Sequence, residues 1–166
     1  MDQLWAPWRL AYVAAARPPA GDDPCFLCQG LAADDDRANL IVLRAPRSVV
    51  VLNRFPYNNG HLLVAPRAHK GGLDDLDADE LLETMETLRR SVRALGGLMK
   101  PDGYNVGLNL GRPAGAGLPG HLHWHVVPRW NGDTNFMPVL NDTRVIVQSL
   151  DEFYTWLTER LQRDSV

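Results

Sequence analysis

The chain predicts an α+β domain built on a mainly antiparallel sheet. Three observations carry that reading: short β-branched or apolar runs separated by turn residues, one long amphipathic stretch between them, and a second amphipathic stretch at the end. A length of 166 residues suits a single domain with one hydrophobic core. No internal repeat or boundary divides it, so residues 1–166 are read as one domain.

Residues 1–38 hold four prolines, two tryptophans and the run Asp34-Asp35-Asp36 without sustained periodicity. They read as an arm followed by an irregular segment around Cys25-Phe-Leu-Cys28. The aromatic residues of LWAPWRLAY suit a cover for a sheet edge or a partner subunit better than a substrate lid. From Asn39 onward NLIVL, SVVVLN and HLLVA read as strands, with turns at Ala45-Pro46-Arg47 and Pro56-Tyr-Asn-Asn-Gly60. Leu81, Leu82, Met85, Leu88, Val92 and Leu95 recur at helical spacing, with Gly96-Gly97 as the expected stop. YNVGLNLG then alternates, placing Tyr104, Val106, Leu108 and Leu110 on a packing face and Asn105, Gly107 and Asn109 on a polar one. A glycine-rich loop, GRPAGAGLPG, leads into GHLHWHVVPRW. RVIVQ reads as an edge strand, and Ser149-Leu-Asp-Glu152 as a capping box opening a helix over 149–166 through Leu150, Phe153, Tyr154, Leu157 and Leu161.

The formal net charge is −3, and the basic residues are scattered. That excludes the electrostatic footprint of a duplex nucleic-acid binder and favours a small ligand. No apolar run is long enough for a bilayer span, and Asp2 and WAPW ahead of LAYVAAA make a poor signal peptide, so no membrane partner and a cytoplasmic location are expected.

Three of the five histidines lie in five consecutive positions. In an extended strand His121, His123 and His125 share one face, while Leu122, Trp124 and Val126 pack on the other and hold the imidazoles rigid. Three such rings could bind one catalytic metal, or one could be a nucleophile with its neighbours as ligand and donor. A hydrolytic metal site of the HxHxDH kind needs an Asp and a His directly after the second His, and residues 114–128 contain no carboxylate. Direct attack by a neutral imidazole, its other nitrogen fixed on a backbone carbonyl, is the more economical reading. His61, after the Asn-Asn-Gly turn, reads slightly better as a turn histidine bonded to backbone than as support for the site. Cys25 and Cys28 have metal-ligand spacing but supply only two of the four ligands a structural zinc needs, and inert buried thiols or a redox pair are the alternatives.

HLHWHVV resembles the signature of the histidine triad family. LWAPWR, CFLC, VLNRFPYNNGHLLVAPRAH, YNVGLNLG, AGAG and VVPRWNGDTNFMPV extend the resemblance over about residues 4–140, toward bacterial members that act as diadenosine tetraphosphate phosphorylases. The resemblance implies a HIT-like fold with a five-stranded, mainly antiparallel sheet, one long helix and a C-terminal helix. It implies nucleotidyl transfer or hydrolysis of dinucleoside polyphosphates through a nucleotidyl-His123 intermediate, with His125 as donor. Phosphate as acceptor gives ATP and ADP from diadenosine tetraphosphate, and water gives the hydrolytic variant. A purine nucleoside phosphoramidase and a non-catalytic nucleotide-binding module are the alternatives.

By the same resemblance Asn53 holds ribose hydroxyls, Asn109 and Trp130 serve the phosphate chain or base, and backbone N–H groups of Gly115, Ala116 and Gly117 face phosphate. Many members read Gly-Gln-Ser at that loop, so its backbone takes over contacts that side chains make elsewhere. Asn53-Arg54, where many members carry Asp, resembles the dinucleoside polyphosphate branch. A structural zinc on Cys25, Cys28, His69 and His121 is implied, with no organic cofactor, and so is a homodimer, joined through an edge strand such as RVIVQ or through the arm.

Overall fold

The protein is described here from a computed structural model over residues 25–133, 146 and 148–163. Five strands, β1 (Ile41–Arg44), β2 (Ser48–Leu52), β3 (Leu62–Pro66), β4 (Gly103–Leu108) and β5 (Trp124–Arg129), form one sheet in the order β1-β2-β3-β5-β4. All four neighbouring pairs are antiparallel, as the sequence predicts. The helices among the described residues are α1 (Phe26–Ala32), α2 (Ala78–Met99) and α3 (Leu150–Arg163). The aromatic arm lies outside the described residues, as does most of RVIVQ.

Helices α2 and α3 cover one face of the sheet. Val50, Leu52, Leu62, Val64, Leu122, Trp124 and Val126 meet Ala94, Leu95, Phe153, Leu157 and Leu161 there. On the other face Val49, Val51, Leu63 and Ala65 pack with Leu27 of α1. The central strands β2 and β3 are buried throughout, which is why their runs lack polar alternation.

Three local readings are corrected. The CxxC segment is helical: Cys25 is the N-cap of α1, its Sγ accepting the Cys28 N–H at 3.4 Å. Sulfur is not among the usual capping acceptors, so the sequence gives no start signal there. Helix α2 does not stop at Gly96-Gly97. It runs on to Met99 and ends at Lys100 in the left-handed region, φ 48°, with Pro101 barring continuation. A Cβ on Gly97 would lie 3.0 Å from the Arg160 guanidinium, so this glycine makes room for α3.

The third correction concerns which face of α2 is buried. Leu81, Leu82 and Met85 are exposed, whereas Thr84, Thr87, Ser91 and Ala94 are buried. Thr84 and Ser91 hydroxyls donate to the carbonyls of Glu80 and Thr87, at 2.7 and 2.8 Å, and Thr87 Oγ1 bonds Ser48 Oγ at 2.9 Å. Satisfied in this way, small polar side chains let the helix approach the sheet closely. On β4, likewise, Tyr104 and Leu108 pack, but Val106 and, two residues past the strand, Leu110 are about half exposed.

The α2 N-terminus is fixed by a reciprocal box. Asp77 accepts the Glu80 N–H at 2.8 Å and Glu80 accepts the Asp77 N–H at 2.9 Å. The Ser149 box is realised in its Ser149 half, Oγ accepting the Glu152 N–H at 3.2 Å. Gly60, at φ 75°, closes the turn into β3, and a Cβ there would sit 2.7 Å from Met99 Sδ. Gly60→Ala is therefore expected to lower stability by about 1–3 kcal/mol, read as a shifted denaturant midpoint with an unchanged slope.

Candidate functional site

The histidine run is not all strand. Ladder pairing of β3 with β5 runs only from Leu62↔Val126 to Val64↔Trp124, so His125 alone of the three lies in β5. The ladder stops because β3 ends at Pro66, which has no N–H to donate. The Leu122 N–H turns instead to the Lys70 carbonyl, at 2.7 Å. Segments 69–71 and 119–122 thus run side by side, close enough that a Cβ on Gly71 would meet the Pro119 carbonyl at 3.1 Å. The alternation expected of the run persists nonetheless: Leu122, Trp124 and Val126 join the helix-side core, and the imidazoles stand on the other face.

Hydrogen bonds fix the tautomer of each ring, because a carbonyl only accepts and a backbone N–H only donates. His121 donates from Nε2 to the Pro66 carbonyl at 2.8 Å, which leaves its lone pair on Nδ1. His123 donates from Nδ1 to the His121 carbonyl at 2.8 Å, which leaves its lone pair on Nε2. His61 Nδ1 accepts the Tyr57 N–H at 3.0 Å, so its proton is on Nε2 and is given to His125 Nδ1 at 2.9 Å. His125 consequently carries its own proton on Nε2. The His123 and His125 ring centroids are 5.1 Å apart, setting a lone pair beside a donor.

Burial first, then the neighbouring His123, pushes the His125 pKa down from 6.5 to about 4, so the ring is neutral at physiological pH. Between those two values the unfolded chain binds a proton that the folded chain refuses. Stability is therefore expected to fall as pH drops from 6.5 toward about 4, with no further loss from this group below that. His125→Gln should flatten that part of a Tm-against-pH curve relative to the parent chain; an unaltered slope would contradict the assignment.

His61 is 1% exposed. The structure gives it both roles that the sequence left open: it bonds turn backbone through Nδ1 and His125 through Nε2. Its link to His125 spans two strands, and no motif spacing reveals it.

Of the remaining residues, Asn53 comes to the His61 end, with Nδ2 3.2 Å from His61 Nδ1 and Oδ1 accepting the Phe55 N–H at 3.0 Å. Asn109 lies one residue past the last β4–β5 pair, Leu108↔Trp124, which aligns it with His123, and its Nδ2 donates to the Gly115 carbonyl at 3.4 Å. Gly115, at φ 95°, ends a short turn, Arg112–Ala114, and leads into Ala116, which is buried, and Gly117. Trp130 directly follows β5, and its N–H donates to Asp133 Oδ2 at 3.0 Å.

Beside His121 a second cluster forms. Its Nδ1 lies 3.2 Å from Cys25 Sγ and 3.5 Å from Cys28 Sγ, and His69 Nδ1 lies 3.2 Å from Cys28 Sγ. All four candidate ligand atoms fall within 4.8 Å of one another. Ligand atoms around a tetrahedral zinc are about 3.3–3.8 Å apart, so two thiols and two imidazole nitrogens fit such an ion. Burial, then the adjacent Cys25, pushes the Cys28 thiol up to about 11.

Residues 36–132 match the family model described as HIT domain. The chain belongs to the HIT family. HIT relatives include an AP-4-A phosphorylase of Mycobacterium tuberculosis, 39% identical over 154 residues, or 90% of this chain and 79% of the relative. An adenosine 5'-monophosphoramidase of Saccharomyces cerevisiae is 29% identical over 78% of this chain and 77% of its own length. A zinc-bound histidine triad family protein from Mycobacterium smegmatis superposes with a TM-score of 0.68 at 29% identity, covering 87% of this chain and 99% of that one.

Proposed function

We propose that this HIT protein is a nucleotidyl-transfer enzyme that cleaves dinucleoside polyphosphates, with phosphate as the acceptor. The observation that carries the reading is the fixed tautomer of His123: Nδ1–H is spent on the His121 carbonyl, and the Nε2 lone pair is available for attack. Similarity to the AP-4-A phosphorylase supports the substrate class.

In this reading His123 Nε2 attacks an α-phosphorus. An N–P bond forms, the P–O bond to the remaining polyphosphate breaks, and the electron pair leaves on that oxygen. His125 donates from Nε2–H to a phosphate oxygen; in the glycine loop the Gly115 and Ala116 N–H groups already donate to the Arg112 and Gly111 carbonyls, at 2.9 and 3.2 Å, so of the three it is Gly117 that turns its N–H to phosphate. Asn53 and Asn109 orient the ribose and the phosphate chain from opposite sides. An oxygen of inorganic phosphate then attacks the bound phosphorus and expels His123 Nε2 with its lone pair restored. From diadenosine tetraphosphate the products are ATP, then ADP.

Cys25, Cys28, His69 and His121 would hold a structural zinc. Bound there, it would fix His121, and so the carbonyl on which His123 is oriented. The proposal extends to a homodimer. Edge strand β4 leaves Val106 47% exposed, and Leu81, Leu82 and Met85 of α2 add exposed apolar surface. A cytoplasmic setting accords with two free cysteines at ligand spacing, and no helix among the described residues is long and apolar enough to cross a membrane.

The test is product analysis of diadenosine tetraphosphate turnover with labelled phosphate. The reading predicts ADP carrying the label and ATP without it. Unlabelled AMP and ATP would show hydrolysis instead, and an amine released from an adenosine phosphoramidate at a higher kcat/KM would favour the phosphoramidase.

A further inference from the structure

The turn between β2 and β3 brings an aromatic ring onto the histidine pair. Tyr57 stacks on His125, ring centroids 5.7 Å apart and planes 16° from parallel, and tilts over His61 at 4.6 Å. Its own N–H is the donor that sets the His61 tautomer. The turn is tied to the strand carrying His125: Asn58 Nδ2 donates to the Pro128 carbonyl at 3.1 Å and to Asp133 at 2.8 Å. Tyr57 is 49% exposed, so core burial does not account for an aromatic residue at this position.

We infer that Tyr57 is a positioning residue: its ring caps the His61–His125 pair, excludes water from it, and holds the His125 imidazole at the angle from which Nε2–H meets the phosphate. The inference rests on the reading of His125 as donor. A flat ring stacked on a flat imidazole restricts rotation about the His125 side-chain torsions, and a hydrogen bond shielded from water is stronger than an open one. The titratable groups facing His125 are His61 ahead of β3, His123 from its own segment and the Tyr57 hydroxyl from the turn; Gly107 of β4 and Leu63 of β3 oppose it in the ladders. The low His125 pKa comes chiefly from burial, and the Tyr57 ring supplies part of that cover.

The experiment compares Tyr57→Phe, Tyr57→Leu and Tyr57→Ala in the full chain, by kcat and KM on diadenosine tetraphosphate and by an NMR titration of the His125 ring proton. Every variant keeps the backbone N–H that serves His61, so only the ring is tested. Tyr57→Phe should stay within about twofold of the parent, while Tyr57→Ala should lose about tenfold in kcat with KM within about twofold, Leu falling between. In Tyr57→Ala the His125 midpoint should rise by about one unit toward the solvent value. An unmoved midpoint, a loss confined to KM, or equal damage from Phe and Ala would each overturn the proposal. The NMR midpoint needs no turnover, so it decides on Tyr57 even if the proposed reaction fails.

Discussion

Replacing His123 with asparagine should lower turnover of diadenosine tetraphosphate by about 1000-fold or more while leaving nucleotide affinity within about tenfold. The asparagine amide can still donate to the His121 carbonyl, as His123 Nδ1 does at 2.8 Å, so the local backbone has no reason to move. What disappears is the Nε2 lone pair, and no other group at the site replaces it: His125 presents a proton, and the His121 lone pair points to the cysteines. Binding, in the proposed reading, draws on Asn53, Asn109 and the glycine loop, which the substitution leaves alone. Isothermal titration with a nucleotide and a coupled assay for ATP check the two halves. Parallel loss of affinity and turnover would mean that His123 holds the fold.

The second large effect is expected from the cysteine–histidine cluster. Cys28→Ser should reduce bound zinc from one per chain to well below that and lower Tm by about 10 °C. The cluster ties the first turn of α1 to the 69–71 and 119–122 segments, which otherwise meet through one backbone hydrogen bond and close glycine packing. Chelation should act in the same direction but slowly: activity should decay along with structure, because the proposed chemistry needs His121 held in place and no reacting atom on the ion. Instant loss of turnover on adding chelator, with Tm unchanged, would favour a catalytic metal. Elemental analysis and a thermal melt on the same sample separate these outcomes.

Much of this was legible in the sequence, and for identifiable reasons. The strand runs at 48–53 and 61–65 stood out because strands inside the sheet that are buried on both faces must be apolar throughout. The alternation of 121–126 was legible because the apolar partners belong to one core. The buried face of α2 was not, since Thr84, Thr87 and Ser91 look like surface residues until the Ser48 hydroxyl and the helix carbonyls are seen to satisfy them. Cys25 as a helix cap was likewise silent, and His61 was ambiguous because its partner, His125, is 64 positions away.

The central claim is a transient bond between His123 Nε2 and phosphorus. Rapid quenching in base during turnover of α-³²P-labelled diadenosine tetraphosphate without inorganic phosphate, followed by peptide mapping, tests it most directly. The account predicts an acid-labile, base-stable nucleotidyl group on His123, discharged as ADP when phosphate is added. Label on any other residue, or a chain that turns over without ever carrying label, would contradict it.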